Sequence, residues 1–234
     1  MIDAEVKQSL LKNGLILFAS DYGKKGVAES WTVRLSKQIK QLDQFKDFSN
    51  VNIATGGDSL IVDVDLDCHE ALELADAFLN PTGMMFGRES TPRSHRLYKV
   101  IDLNKKHTRA YFDFKDKEKS MLVELRANKH YTMCGGQYDN GEKVVWDKCD
   151  MPVEITYDTL HKQLSKLAVA CVVLRKAPTP GTKMRNEYWK LVIATLWYHK
   201  IKEEDCINIV EAVCNAVEDD TNERLARVKN IYAK

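Results

Sequence analysis

The run Ile61–Asp67 alternates apolar and acidic residues, and it limits the possible folds of the chain more than any other segment. Successive side chains of a β-strand point to opposite faces, so Asp63, Asp65 and Asp67 share one face and the apolar residues share the other. Three carboxylates on one face repel each other. The run is therefore either a solvated edge strand or a platform for Mg²⁺ or Mn²⁺, which prefer oxygen ligands.

Two glycines directly before this run predict a tight turn. Gly56 and Gly57 separate the acidic strand from a short strand that precedes it. The G-x-x-x-x-G-K-[ST] pattern of a phosphate-binding loop is missing here. We therefore expect this turn to position the acidic strand rather than to bind phosphate.

Charge and hydropathy narrow the class of protein. The 234 residues are 44% hydrophobic and 29% charged, which is typical of a globular protein with one large domain or a main domain and a smaller one. A net charge of +1 argues against a broadly basic surface but allows a local basic cleft. No run of about 18 apolar residues occurs, so neither a transmembrane helix nor a membrane partner is expected.

Cysteine usage and the N-terminal residues indicate the compartment. The six cysteines form no C-x-x-C pair, so they are predicted to be reduced and mostly buried rather than zinc ligands. The first residues lack a basic segment followed by an apolar core, so no signal peptide is expected. These features predict a cytoplasmic protein of a bacterium, an archaeon or a phage-infected host cell.

The hydrophobic periodicity changes along the chain. Before residue 151, short strands alternate with a few helices, predicted at residues 3–13, 31–46 and 69–79, which favours an antiparallel or mixed sheet. From Tyr157 onward the period is helical throughout, with helices expected at about 158–174, 183–200, 203–218 and 221–232. The predicted fold class is α+β, with an α/β domain at 1–153 and a small helical bundle at 154–234.

A second polar strand is expected around His95. Alternation places Ser94, Arg96 and Tyr98 on one face and His95 on the other, together with Leu97 and Lys99. A lone histidine on a strand is usually structural. The surrounding cations favour a polyanionic ligand instead: Arg88, Arg93, Arg96 and Lys99.

A third candidate is Glu124, an acid embedded in the apolar strand Met121–Arg126. An isolated carboxylate is expensive to bury unless it is paired or bound to a metal ion. Glu124 is therefore either the partner of a cation such as Arg126, or a further metal ligand.

The order and flanks of these three segments resemble archaeo-eukaryotic primases, and more narrowly the primase–polymerase domains of phage, plasmid and mobile-element replication proteins. The hDhD motif of that family is matched by Val62-Asp63-Val64-Asp65, its small-x-His motif by Arg93-Ser94-His95, and its third acid by Glu124. The likeness covers about residues 15–150. One departure is that Cys134–Tyr138 stands where the family often has Pro-Pro-Ser-x-His.

The resemblance implies a core with a mixed sheet and an RRM-like half, followed by the helical bundle, and it implies roles for individual residues. Asp63, Asp65 and Glu124 would be catalytic ligands of two Mg²⁺ or Mn²⁺ ions, with Asp67 as an alternative because its side chain shares their face. His95 would bind the phosphates of the incoming nucleotide, supported by Ser94, Arg88, Arg93 and Lys99. Arg185 and Lys183 would contact the template.

The resemblance also implies a function and partners. The chain would make or extend primers on single-stranded DNA from dNTPs or NTPs, and a replicative helicase would act with it, on the same chain or separately. Two other functions use the same residues. A metal-dependent nuclease would need the acids but not His95, and a replication-associated nucleic-acid-binding module would need no chemistry at all.

Overall fold

We describe the fold from a computed structural model, which describes residues 3–21, 36, 38–45, 49–108, 110–113, 121–179, 182 and 184–233. Within these residues the chain forms six α-helices and eleven β-strands, confirming the predicted α+β class. None of the helices in this part of the chain is long and apolar enough to cross a membrane.

The helices are numbered in chain order. They are α1 (Ala4–Lys12), α2 (His69–Phe78), α3 (Tyr157–Lys176), α4 (Arg185–Tyr198), α5 (Glu203–Ala216) and α6 (Thr221–Tyr232). The strands are β1 (Ile16–Asp21), β2 (Gln38–Ile39), β3 (Ser49–Thr55), β4 (Ile61–Leu66), β5 (Met84–Arg88), β6 (His95–Val100), β7 (Ala110–Asp113), β8 (Met121–Arg126), β9 (His130–Gly135), β10 (Val144–Cys149) and β11 (Val153–Ile155).

The strands form two sheets. The smaller sheet has the order β2-β1-β3-β9, and each of its three neighbouring pairs is antiparallel. The larger sheet has the order β10-β5-β6-β4-β8-β7, and β11 adds to it by pairing parallel to β6. In the larger sheet the acidic strand β4 lies between β6, which carries His95, and β8, which carries Glu124.

The described residues fall into two compact units. The first is drawn from Met1–Asp67, Asn80–Tyr111 and Glu124–Thr159. Its core packs apolar residues of α1, β1, β3, β5 and β6 together, among them Leu10, Leu17, Ile53, Phe86 and Leu97. These side chains are almost completely shielded from water, and this burial is the main driving force for folding the unit.

The second unit is drawn from Cys68–Leu79, Phe112–Val123 and Leu160–Lys234. Leu164, Trp189, Ile193 and Val210 are buried in it at helical spacing. Polar groups are also paired here: the Arg175 guanidinium donates from Nε and Nη2 to the two carboxylate oxygens of Glu70, at 2.8 and 3.0 Å. That fork holds the pKa of Glu70 down to about 2 and links α3 to α2.

The structure corrects one predicted element. Residues 31–46 were expected to form a helix. Ser36 is helical, but Gln38–Ile39 is strand β2 and Leu42–Gln44 is a short 3₁₀ helix. Ile39 pairs with Leu17 of β1, so pairing along a sheet edge replaces the helical periodicity at this point. Residues 31–35, 37 and 46 of that prediction lie outside the described residues. The division into domains at 153/154 stays a prediction.

Candidate metal and nucleotide site

The register of β4 and β6 brings the acidic strand and His95 together. Asp63 pairs with Leu97, and Asp65 pairs with His95, in the antiparallel ladder. Residues that face each other in such a ladder project to the same side of the sheet. The predicted common face of Asp63 and Asp65 is therefore present in the fold, and His95 lies on the same face.

A buried ion pair joins His95 to Asp63. His95 Nδ1 lies 3.0 Å from Asp63 Oδ2 and 3.6 Å from Asp65 Oδ1. Burial acts to lower the pKa of His95, but the charges of Asp63 and Asp65 outweigh it and raise the pKa above its usual value. Burial likewise acts to raise the pKa of Asp63, and His95 and Arg126 reverse the direction. Both shifts favour an imidazolium–carboxylate pair.

Aromatic packing fixes the plane of the His95 ring. Phe86 stacks on it with a centroid separation of 4.7 Å and an angle of 13° between the planes. Trp146 packs against Phe86 at 4.6 Å and donates from Nε1 to the carbonyl oxygen of Cys134 at 2.8 Å. The imidazole is thus held by Asp63 at its edge and by Phe86 on its face.

Three carboxylates on this face form a group that could hold a metal ion. Asp65, Asp67 and Glu124 each offer an oxygen, and these oxygens lie within 4.8 Å of one another. Asp65 and Glu124 are buried, whereas Asp67 is exposed and opens the group to solvent. Desolvation by the surrounding protein and the negative charge of Asp65 raise the pKa of Asp67 to about 6. Carboxylate oxygens suit Mg²⁺, Mn²⁺ or Ca²⁺.

Asp63 supplies a further acceptor. Its side chain is completely buried, and its Oδ1 has no hydrogen-bond partner among the residues that the structure describes. A buried carboxylate oxygen without a partner is costly, and a cation can satisfy it. The chemistry of the donors on this face therefore fits a hard divalent cation.

The sequence predicted Arg126 only as a possible ion-pair partner of Glu124, but its side chain also contacts the other acids of the site. Its guanidinium lies 2.9 Å from Glu124 Oε2 through Nη2, and Nη2 also bonds to Asp65 Oδ2. Nη1 reaches Asp63 Oδ2 and Thr132 Oγ1, both at 3.4 Å. The ion pair with Glu124 is confirmed, and Arg126 belongs to the site as a whole.

Four carboxylates thus share two cationic groups. When Asp63, Asp65, Asp67 and Glu124 are ionised and His95 and Arg126 are protonated, the balance is −4 + 2 = −2. A group with two uncompensated negative charges attracts a divalent cation. Arg126 could have been found from the sequence, because it lies two residues after Glu124 and therefore on the same face of the strand.

Three of the predicted nucleotide-binding cations lie in ion pairs at the surface. Arg88 lies 3.7 Å from Glu142 and stacks over Tyr138 at 5.0 Å. The other two pairs are Arg93 with Asp147 at 3.2 Å and Lys99 with Glu154 at 2.9 Å.

The other predicted contacts differ in exposure. Ser94 is buried, and its carbonyl oxygen accepts a hydrogen bond from Leu66 at 2.8 Å. Arg185 is largely buried in the second unit, where its Nε lies 2.9 Å from Asp219 Oδ2 and its Nη2 donates to the carbonyl oxygen of Val217. Lys183 lies outside the described residues.

Tyr138 is a residue of the site that the sequence did not single out. It lies in the segment that departs from the family pattern. Burial raises its pKa, Arg88 opposes this shift, and the charges of Asp65 and Asp63 add to it. The carboxylates of the acidic group therefore act electrostatically on the Tyr138 hydroxyl, whose ring lies under the Arg88 guanidinium.

No family model matches this sequence, and a search of curated proteins finds no match either. A function for the chain is therefore argued from the geometry of the site and from the motifs of the sequence.

Proposed function

We propose that this protein is a DNA-dependent primase–polymerase, which makes or extends primers on single-stranded DNA by two-metal nucleotidyl transfer. The observation that carries the proposal is the carboxylate group Asp65, Asp67 and Glu124 on the same sheet face as the Asp63–His95 ion pair. The proposal extends to the fold, which we assign to the archaeo-eukaryotic primase core with an appended helical bundle.

In this proposal the acids hold the metal ions. Asp65, Asp67 and Glu124 would hold one ion, and Asp63 Oδ1, which has no hydrogen-bond partner in the described part of the chain, would be available to a second. Bound Mg²⁺ or Mn²⁺ would neutralise the triphosphate and favour ionisation of the primer 3′ hydroxyl. Arg126 and His95 reduce the repulsion among the acids, which lets four carboxylates share one face of the sheet.

His95 has the properties required of a phosphate ligand. Its pKa is raised by the neighbouring carboxylates, so it is cationic over a wider pH range than an ordinary histidine. Nδ1 faces Asp63, which leaves Nε2 as the ring nitrogen that can donate to a phosphate oxygen. Phe86 and Asp63 together hold the ring in one orientation, so little rotamer entropy is lost when the nucleotide binds.

The surface cations fit a supporting role. The ion pairs of Arg88, Arg93 and Lys99 are each partly exposed, and exposed pairs contribute only about 0–1 kcal/mol. A triphosphate can therefore displace Glu142, Asp147 or Glu154 at small cost. Arg185 differs, because a template contact would have to compete with its buried pair with Asp219.

The test is a priming and extension assay on single-stranded DNA with labelled dNTPs or NTPs and Mg²⁺ or Mn²⁺. It compares the wild type with Asp65→Ala, Glu124→Ala and His95→Ala, after circular dichroism has shown that each variant is folded. The matched control is Asp58→Asn, which neutralises an exposed acid in the turn before the same strand. We expect products from the wild type and the control, and none from the three site variants.

Other outcomes identify the rival functions. Shortened input strands would indicate a nuclease, and the His95 variant would then keep its activity. DNA binding that persists in EDTA, with no product under any condition, would indicate a binding module. Extension of a supplied primer without new initiation would restrict the function to a polymerase.

A further inference from the structure

The side chain of Arg126 contacts three carboxylates of the acidic face and one threonine. A guanidinium has five N–H donors, and five contacts to oxygen are present. Nε and Nη2 both approach Glu124 Oε2, Nη2 bonds to Asp65 Oδ2, and Nη1 reaches Asp63 and Thr132. Four of these contacts are hydrogen bonds, and the fifth is the ion-pair contact of Nη2 with Glu124.

Two of these acceptors belong to the carboxylates that could hold a metal ion. Asp65 and Glu124 each give an oxygen to the guanidinium, and both are members of the group with Asp67. A divalent cation needs ligand oxygens at about 2.0–2.6 Å, with little competition from other cations. A guanidinium bonded to the same two side chains holds oxygens in hydrogen bonds and adds a positive charge next to the ion.

We propose that Arg126 is a built-in counter-cation that competes with the divalent ion for Asp65 and Glu124, so that metal binding requires its guanidinium to leave them. This inference rests on the metal site of the proposed function. It makes Arg126 a positioning residue that sets the affinity for the ion, rather than a group that acts on the nucleotide. Among the residues that the structure describes, Asp67 forms no hydrogen bond or ion pair with Arg126, and because it is exposed it gives the incoming ion a first ligand.

Charge explains why the acidic face can hold either the Arg126 guanidinium or a divalent ion. With Arg126 in place, Asp63 and Glu124 stay buried without large unpaired charge, which would otherwise destabilise the fold. A divalent ion replaces that charge and adds one more. The fold therefore tolerates both occupants of the acidic face, and the equilibrium between them depends on the concentration of the metal.

The experiment measures Mn²⁺ binding without any nucleotide or DNA. Binding to the full chain is followed by electron paramagnetic resonance of free Mn²⁺ and by the increase in melting temperature. Arg126→Met is compared with the wild type and with Arg126→Lys, which keeps the charge but loses the fork. The matched control is Arg175→Met, which removes a partly buried arginine paired with Glu70 in the other unit.

We expect Arg126→Met to bind Mn²⁺ about tenfold more tightly than the wild type. This factor corresponds to a wild type in which Arg126 has left Asp65 and Glu124 in about one tenth of the molecules. Arg126→Lys should lie between the two, and Arg175→Met should bind like the wild type. Arg126→Met is also expected to melt at a lower temperature without metal, and Mn²⁺ should raise its melting temperature more than that of the wild type. This second readout applies even where the variant is only partly folded without the ion.

The outcomes separate the inference from the function on which it rests. Equal or weaker binding by Arg126→Met, with wild-type binding that is lost in Asp67→Asn, would overturn the role of Arg126 and leave the metal site standing. No Mn²⁺ binding by the wild type or by any variant would overturn both.

Discussion

Asp67 is the one carboxylate of the acidic group that is exposed to solvent, and its protonation is expected to control access of the ion. Its pKa of about 6 means that protons and metal ions compete for it near neutral pH. Asp65 and Glu124, in contrast, are buried and bonded to Arg126. At the scale of single residues, exposure therefore separates Asp67, which is open to the solvent, from Asp65 and Glu124, which are held by Arg126.

The first prediction concerns this titration. Lowering the pH from 7.5 to 5.0 should weaken Mn²⁺ binding about tenfold, because about nine tenths of Asp67 is protonated one pH unit below its pKa. Isothermal titration at both pH values measures the change. Asp67→Asn should bind weakly with little pH dependence, whereas the exposed Asp58→Asn should keep the wild-type ratio. Equal wild-type affinities at the two pH values would contradict the prediction.

The second prediction concerns the Asp63–His95 pair. Asp63→Asn removes a buried charge that His95 and Arg126 share, which is expected to cost about 3–5 kcal/mol of unfolding free energy at pH 6. Urea unfolding measures the loss, with Asp58→Asn as a control expected to stay within about 0.5 kcal/mol of the wild type. The histidine C2 proton resonance should show a lower pKa for His95 in the variant than in the wild type.

The directions of the two pKa shifts define the pH range in which the Asp63–His95 pair stabilises the fold. The pKa of His95 is raised in the fold, so its contribution is complete below its ordinary value of 6.5 and is lost as the pH rises through the folded value. The pKa of Asp63 is lowered, so its contribution is complete above 3.8 and is lost as the pH falls. The difference in unfolding free energy between wild type and Asp63→Asn should be largest between pH 3.8 and pH 6.5. A difference that keeps growing above pH 8 would contradict this assignment.

Much of the site could be predicted residue by residue, because side chains alternate between the two faces of a strand. Alternation predicted that Asp63, Asp65 and Asp67 share a face, and the ladder places His95 opposite Asp65. Alternation could not choose between the pairs Asp63/Asp65 and Asp65/Asp67, because all three project to the same side. The choice depends on the neighbouring strand, whose Glu124 lies with Asp65 and Asp67.

Among the elements, the turn between β3 and β4 sets the register of the acidic strand. Gly56 has φ 78° and ψ −153°, a conformation that essentially only glycine adopts, and its backbone pairs with Ile61. A Cβ at Gly56 would lie 2.6 Å from Asn128 Cα, closer than atoms can approach. At Gly57 the φ is also positive, at 60°, but a Cβ would meet nothing within 4 Å.

The third prediction uses this contrast between adjacent glycines. Gly57→Ala should cost about 1 kcal/mol of unfolding free energy, because only the left-handed backbone is strained. Gly56→Ala should cost about 3 kcal/mol or more, because strain is joined by a clash with backbone that cannot move freely. Thermal or urea unfolding of both variants gives the comparison. Equal losses would show that the close approach to Asn128 is relieved at no cost.

The elements that the sequence did not predict are short strands. The helices with clear apolar periodicity were predicted within a few residues of their observed bounds, from α1 to α6. Strand β2 has two residues, too few for any period, and it exists because Ile39 pairs with Leu17. Strand β11 was not predicted for the same reason: Val153–Ile155 is a strand through its parallel pairing with β6.

For the whole molecule, composition and cysteine usage were informative because they do not depend on local pairing. The six cysteines were expected to be reduced and mostly buried, and all six are free in the structure. Five of them are buried, and Cys149 is partly exposed. They belong to both compact units, so their reactivity reports on the packing of each.

The last prediction follows from this distribution. A thiol reacts as the thiolate, and reaction needs access to solvent. Burial raises the pKa of Cys149 and, to about 12, that of Cys214, which slows both further. The pKa of Cys68 is lowered, mainly by its hydrogen bond with Cys171, but Cys68 is only 4% exposed. A disulfide reagent such as DTNB should therefore modify at most one thiol of the native protein quickly, and Cys149→Ser should abolish that phase.

In guanidinium chloride the same reagent should count all six thiols of the wild type and five of the variant. The slow native reactions should then follow the opening of each unit, because a buried thiol becomes available only when its unit opens. Two or more fast thiols in the native wild type would mean that one unit opens readily in solution. Conversely, a slow phase that Mn²⁺ slows further at Cys134, in the unit of the acidic group, would link metal binding to the stability of that unit.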